Sequence, residues 1–268
     1  MGILNVTPDS FYQGSQSFGE YEATRRAATL IEEGADMIDI GGYSSRPGAS
    51  PVPVEEELRR VRMGVEAIRR VSGDIPVSVD TFRSEVARKA VEEWGADIVN
   101  DISGGSLDQE MFATVASMKV PYILMHMRGT PQTMQNLTGY TDVTAEVAAE
   151  LSRPLEILRR MGVADIIIDP GFGFAKNIGQ NYELMANLRH LRHMLGCPIL
   201  TGISRKSMIT RLCGIEPEKA LAGTVALNTA AILSGTAIIR VHDVAEAVQT
   251  VKVTQALMEA ASGTQDEF

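Results

Sequence analysis

Two cysteines in 268 residues, Cys197 and Cys213, are too few and too far apart for a metal-binding or redox pair. They exclude a disulfide scaffold and read as packing residues of a protein from a reducing compartment, the cytoplasm. Positive charge is also in deficit. Lys and Arg number 25 against 34 Asp and Glu, and a net charge of −9 is a poor match to nucleic acid or an anionic membrane. No apolar run approaches the length of a bilayer span, and no basic-then-apolar leader opens the chain. Met1-Gly2 begins like a myristoylation signal, but Val6 stands where that signal needs Ser or Thr. No Gly-x-Gly-x-x-Gly turn follows any apolar stretch, which weakens the case for an open dinucleotide-binding sheet. What remains is a chain with 44% apolar and 22% charged residues, enough for a sizeable core.

Eight short apolar stretches are present, and each ends in polar chemistry. GILNV carries Asn5, MIDIGG carries Asp39, PVSVD closes on Asp80, and DIVND gives Asn100 and Asp101. YILMH gives His126, DIIID gives Asp169, PILTGIS runs into Arg205 and Lys206, and AIIRVH ends with Arg240 and His242. Amphipathic helices fit between them: Glu20 to Gly34, Val54 to Val71, Ser84 to Trp94 with Ser84 as cap, and one capped by Asp108. Val143 to Met161, Tyr182 to Leu195, Pro217 to Leu233 and Val244 to Ala261 complete the set. The alternation predicts an α/β fold, a (β/α)8 TIM barrel, with an open doubly wound sheet as the competing architecture. No linker interrupts it, so one domain is expected over 1–268, with a frayed polar tail at 262–268. A parallel barrel points all carboxyl ends of its strands to one face, where such barrels keep their active sites. Three strand-to-helix loops are long, 7–19, 42–53 and 127–142; the first two, rich in Gly, Ser and Pro, belong to that face and read as mobile covers.

The strand ends suggest a ligand. Asp80, Asn100 and Asp169 would converge on one pocket, and carboxylates paired with an amide suit a flat heterocycle with a guanidine-like edge, such as a pterin or purine. Asp-Pro-Gly-Phe-Gly-Phe at 169–174 offers close backbone approach and aromatic faces for such a ring. Ser204-Arg205-Lys206-Ser207 follows strand seven, where barrels often hold phosphate. Arg240 and His242, two apart on one strand, could neutralise a diphosphate. Asn5 suits a magnesium ion held mainly by water and substrate phosphate. His126 reads as a packing or supporting residue. Each feature also has a plain alternative: acids paired with nearby cations as scaffolding, phenylalanines in a core, His242 on the surface.

Taken in order, these pieces resemble the dihydropteroate synthases, a family of pterin-binding enzymes. The resemblance spans essentially the whole chain. It rests on residues 1–11 (MGILNVTPDSF), 45–49 (SRPGA), 77–81 (VSVDT), 99–102 (VNDI), 169–174, 204–207 (SRKS) and 240–243 (RVHD). It implies condensation of 6-hydroxymethyl-7,8-dihydropterin diphosphate with 4-aminobenzoate, by loss of diphosphate assisted by Mg2+. By the same resemblance, Asp80, Asn100, Asp169 and Lys206 hold the pterin, with Ile102 and Met125 lining its pocket. Asn5 ligates magnesium, while Ser45, Arg240 and His242 meet the diphosphate. Phe11, Arg46, Pro47, Phe174 and Ser207 shape the aminobenzoate pocket, and Asp9 helps order the closed state. The catalytic set it implies is Asp9, Arg46, Lys206, Arg240 and His242. A homodimer through the last two helices and sensitivity to sulfonamide inhibitors are also implied.

The chain departs from the family pattern in places. It opens directly on the first strand, Tyr43 stands where many members have Glu, and Ser45 where many have Thr. The rival readings are a methyltetrahydrofolate corrinoid methyltransferase, a Schiff-base aldolase using Lys206, and a pterin-binding protein without chemistry.

Overall fold

A computed structural model describes residues 1–6, 16–43 and 51–263, the side chains of 16–18 and 262–263 excepted. Strand and helix alternate from end to end. The order is β1 (Gly2–Asn5), α1 (Gln16–Glu32), β2 (Ile38–Gly41), α2 (Val54–Val71), β3 (Val77–Asp80), α3 (Ser84–Glu92), β4 (Ile98–Asp101) and α4 (Met111–Met118). It continues with β5 (Tyr122–Met125), α5 (Val143–Arg160), β6 (Ile166–Asp169), α6 (Ile178–Ala186), α7 (Leu188–Leu195) and β7 (Leu200–Thr201). Then come α8 (Ser207–Cys213), α9 (Leu221–Leu233), β8 (Ile238–Ile239) and α10 (Val244–Gly263).

Local chemistry sets these elements. Helix α2 carries Glu55, Glu56 and Glu57 in its first turn and Arg69 and Arg70 in its last, which complements the helix dipole. Its Val61, Val65 and Ile68 recur at helical spacing and are buried. Asp142 caps α5 by accepting from Ala145 N at 2.9 Å. Asn177 and Gln180 form a reciprocal capping box at the start of α6.

Several expected boundaries move. The helix expected over 182–195 is two helices, divided at Asn187, whose backbone leaves helical geometry and whose amide and Nδ2 both donate to Glu183 O at 3.1 and 2.9 Å. Ser84 is the first residue of α3 rather than its cap. Its amide donates to the Asp108 carboxylate at 2.7 Å, which also accepts from Glu110 N, so Asp108 ties two helix starts together. The segment from 217 begins as a 3-10 turn before α9, and α8 is a helix that periodicity did not suggest. Helix α10 runs on to Gly263, two residues into the expected tail; 264–268 lie outside the described residues.

Strands β1 to β6 pair in parallel in sequence order, and β7 pairs with β8. Single parallel bridges, Ile168 to Ile199 and Gly2 to Val241, join the two sheets. Backbone bonds from Ile168 N to Pro198 O (2.9 Å) and from Ile3 N to Val241 O (3.0 Å) complete the ring. This is the (β/α)8 barrel that the alternation predicts.

Strand parity divides the core in two. Outward-facing Leu4, Ile40, Val79, Val99, Leu124 and Ile168 pack under the helices. Inside the ring, Met1, Ile98, Ile123 and Leu200, with Met37, Ile167 and Ile238, form a separate apolar plug. The inward positions two residues further along those strands are Ile3, Asn100, Met125, Gly202, Asp39, Asp169 and Arg240. Apolar filling therefore gives way to polar groups within one inward layer.

Candidate active site

Register places the polar positions of the first four strands in one row. Asn5 pairs with Gly41, Gly41 with Asp80, and Asp80 with Asn100, so these four form one row across β1 to β4. Met125 and Asp169 are likewise register partners on β5 and β6. Residues paired in a parallel ladder point to the same face, which here is the interior. Gly202 lies among them: a Cβ built there would stand 3.9 Å from Asp169 Oδ2, 4.0 Å from Lys206 Nζ and 3.9 Å from Arg240 Cβ. On the opposite side, a Cβ at Gly41 would meet Asn5 Oδ1 at 3.1 Å and Asp80 Oδ2 at 3.9 Å.

Charges in this layer are interleaved. Arg240 Nε donates to Asp39 Oδ2 at 2.7 Å and its Nη2 donates to Asp80 Oδ2 at 3.1 Å. Asn100 Nδ2 donates to the same Asp39 oxygen at 3.1 Å, leaving Asp39 Oδ1 buried without a hydrogen bond among the described residues. Asp169 Oδ1 accepts from Gly171 N at 2.8 Å. Lys206 Nζ donates to the Phe172 carbonyl and stands 4.8 Å from the centre of the Phe174 ring.

Burial shifts the titrations of these groups. It pushes Asp80 up to about 7 against the opposing pull of Arg240, and raises Asp169 against that of Lys206. It lowers Lys206 to about 8, with the Asp169 carboxylate working the other way. Arg240 keeps its charge, since Asp39 and Asp80 outweigh its loss of hydration. Such an interior binds a ligand that brings N–H donors to the acids and anionic oxygens to the cations.

Of the residues expected from sequence, Asn5, Asp80, Asn100, Met125, Asp169, Lys206 and Arg240 gather in or beside this layer. Ile102 is buried one residue past β4. Phe174 is half-buried, and Ser207 is exposed at the first turn of α8. His242 pairs with Ser204, Nδ1 to Oγ at 3.1 Å, while its amide donates to the same oxygen. Asp9, Phe11, Ser45, Arg46 and Pro47 lie outside the described residues.

Two expectations are corrected. Arg205 does not join the cation cluster: its backbone is left-handed (φ 58°), and its guanidinium pairs with Asp243, Nε to Oδ2 at 3.0 Å. Phe172 offers no face to a ligand, being fully buried in the core, so Phe174 is the aromatic residue of that turn beside Lys206.

Other residues here were not assigned a site role from the sequence. Asp39 is one, although its inward parity with Gly41 was a usable signal. Lys176, buried behind the 169–174 turn, is another. A third group brackets the loop between Gly42 and Pro53. Arg60 donates to Gly42 O at 3.2 Å, and Arg83 donates to Val52 O at 2.8 Å. The fully buried Glu57 holds Arg83, which lies against the rings of Tyr43 and Phe82.

The comparisons agree with this geometry. A family model described as pterin binding enzyme matches residues 1–242. The dihydropteroate synthase of Synechocystis sp. is 47% identical over 260 residues, covering 96% of this chain and 89% of that protein. The structure of Xanthomonas albilineans dihydropteroate synthase with 4-aminobenzoic acid superposes with a TM-score of 0.89 at 43% identity, covering 96% of this chain and 92% of that one. The Yersinia pestis enzyme in complex with a sulfonamide drug gives 0.89 at 38% identity, covering 97% and 93%. By sequence, fold and the composition of its inner layer, the chain belongs to the pterin-binding enzyme family.

Proposed function

We propose that this barrel catalyses the dihydropteroate synthase reaction, joining 6-hydroxymethyl-7,8-dihydropterin diphosphate to 4-aminobenzoate. The observation that carries it is the inner layer, in which Asp80, Asn100 and Asp169 face the same space as Lys206 and Arg240. The two carboxylates accept from the N–H groups of the pterin edge, and Asn100 supplies both a donor and an acceptor. Met125 and Ile102 give the ring apolar contact. Lys206, held beside Asp169 by the Phe172 carbonyl, is placed to donate to the ring's carbonyl side.

The bond that breaks joins the pterin methylene carbon to the diphosphate oxygen, and its electron pair leaves with the diphosphate. The bond that forms joins that carbon to the aryl amine nitrogen, which then sheds one proton. The ring delocalises positive charge on the carbon, so the protein's main task is to favour negative charge on the leaving group. Arg240 and His242 at the end of β8 are the described residues suited to it. An aryl amine is already unprotonated at neutral pH, so no strong general base is required. A cleft of about 500 Å³ lined by Lys176, Asn177, Ser207 and Arg211 opens next to the start of α8 and suits the anionic end of the aminobenzoate.

Magnesium fits this scheme through its donor chemistry. Among the described residues no cluster of three His, Cys, Asp or Glu could cage a metal, whereas Asn5 Oδ1 stands at the rim close to Asp80. That suits an ion held by one protein oxygen, water and substrate phosphate. Bound there, it would add positive charge against the diphosphate.

The reading extends to a cytoplasmic homodimer, with one barrel domain per chain. Both cysteines are unpaired. Val253 and Leu257, 71% and 57% exposed and four residues apart on α10, continue an apolar face next to α9. Sedimentation at micromolar concentration tests the dimer. Diphosphate release measured with and without 4-aminobenzoate tests the reaction: release that depends on both substrates supports it. Methyl transfer from methyltetrahydrofolate in place of diphosphate release would favour the corrinoid-linked alternative.

A further inference from the structure

We propose that Lys176 is a positioning residue for the pterin site, clamping the 171–174 turn against the end of β5 and so fixing Asp169 and Lys206. The kinetic part of this proposal rests on the pterin diphosphate reading above; the structural part does not.

The turn is an unfavourable backbone held in place. Gly171 (φ 71°), Gly173 (φ 82°) and Ala175 (φ 49°) are all left-handed. Glycine adopts that conformation freely, but for alanine it costs about 1–2 kcal/mol. Ala175 is nonetheless fully buried. The turn also lies hard against β5: a Cβ at Gly171 would come within 2.0 Å of the His126 carbonyl oxygen. Something has to hold the turn there.

As an ammonium, Lys176 does so with all of its donors. Its Nζ donates to Gly171 O at 3.0 Å, to Phe174 O at 3.1 Å and to His126 Nδ1 at 3.0 Å. The first two acceptors are the two ends of the turn. The third belongs to the strand against which the turn is pressed. His126 can accept because burial lowers its titration to about 4 and keeps the imidazole neutral. Its Nε2–H then donates to Glu150 Oε2 at 2.9 Å, and Arg128 holds Glu150 from outside, Nε to Oε1 at 3.0 Å. The clamp is thereby anchored to α5.

The turn in its grip touches the site at three points. Gly171 N donates to Asp169, Phe172 O accepts from Lys206, and the Phe174 ring lies beside Lys206 Nζ. Packing alone does not account for a lysine here. The residue is 4% exposed, and its titration is lowered to about 7 by burial. Methionine would fill the same space without the cost of burying an ammonium.

Lys176→Met, which preserves length and removes every donor, is the test. In the ligand-free full chain, hydrogen exchange at the amides of Gly171, Gly173 and Phe174 should accelerate by about tenfold or more relative to the remaining barrel. With the substrate pair, KM for pterin diphosphate should rise by about tenfold or more while kcat changes less, the usual scale for a displaced binding group. A global loss of stability with wild-type KM would overturn the proposal, as would wild-type exchange at those amides. Glu150→Gln, a change at the half-exposed outer end of the clamp, provides a variant that should fold regardless. It should shift exchange and KM in the same direction by a smaller factor, and no shift in either would also overturn the proposal. Wild-type turnover measured in parallel separates a failure of the pterin reading from a failure of the clamp, which the ligand-free exchange reads by itself.

Discussion

Arg240 and Asp39, 201 positions apart in the chain, share a hydrogen bond of 2.7 Å inside the barrel. The same guanidinium reaches Asp80 on the next strand. Arg240 thus bridges two interior acids, and in the proposed reaction it also meets the leaving diphosphate. Arg240→Ala should lower turnover by about two to three decades, as expected for one lost contact to developing charge, with a smaller loss of pterin affinity. It also strands Asp39, which is fully buried, so the variant should lose about 3 kcal/mol of stability. Adding Asp39→Asn should recover part of that loss. Urea unfolding of both single variants and the double variant measures the coupling; additive losses would contradict the bridge.

Gly202 sits at the centre of the inner layer, and a Cβ there clears its neighbours at 3.9–4.0 Å. Gly202→Ala should therefore fold normally, within about 0.5 kcal/mol of wild type. The added methyl projects into the space between Asp169, Lys206 and Arg240. Calorimetry should show pterin diphosphate binding weakened by about tenfold or more, roughly 1.4 kcal/mol. Unchanged affinity would place the ligand elsewhere.

Lys176 and Lys206 give a pH signature with opposite signs for folding and binding. Lys176 and Lys206 titrate near 7 and 8 in the folded chain, while an unfolded lysine titrates near 10.4. Between those values the unfolded state binds more protons, so stability should rise with pH from about 7 to 10 through these groups. Over the same range the ammonium of Lys206 is lost, and affinity for the anionic substrate should fall above pH 8. Lys206→Met should flatten both trends. Parallel unfolding and binding curves for wild type and variant check them.

Asp169 to Lys176 lacks the Phe-Gly insertion that the family resemblance associates with sulfonamide resistance. The proposed aminobenzoate pocket is therefore expected to admit sulfonamides in competition with 4-aminobenzoate. Inhibition kinetics should give an inhibition constant comparable with the KM for 4-aminobenzoate. A constant far above it would count against this pocket.

Much of this was legible because barrel strands follow a period of two. Placing Asp80, Asn100 and Asp169 at strand ends was enough to put them at one mouth, and the register of β3 with β4 sets Asp80 level with Asn100. Arg205 was misread because a left-handed backbone turns its side chain toward Asp243, a reversal that no periodicity encodes. Phe172 and Phe174 share a spacing of two, yet the turn between them is not a strand, and the first enters the core. Lys176 was invisible for the same reason: two of its three acceptors are backbone carbonyls in a turn with three left-handed residues, and carbonyls leave no mark in a sequence. The break at Asn187 lies in one residue's backbone dihedrals (φ −100°, ψ 12°), which apolar spacing does not register.

The central claim is that the inner polar layer holds the pterin, and Asp169 tests it most directly. Calorimetric titration of Asp169→Ala with 6-hydroxymethyl-7,8-dihydropterin diphosphate should show no measurable binding, while the variant retains the barrel's circular dichroism. Binding of wild-type strength by that folded variant would contradict the account.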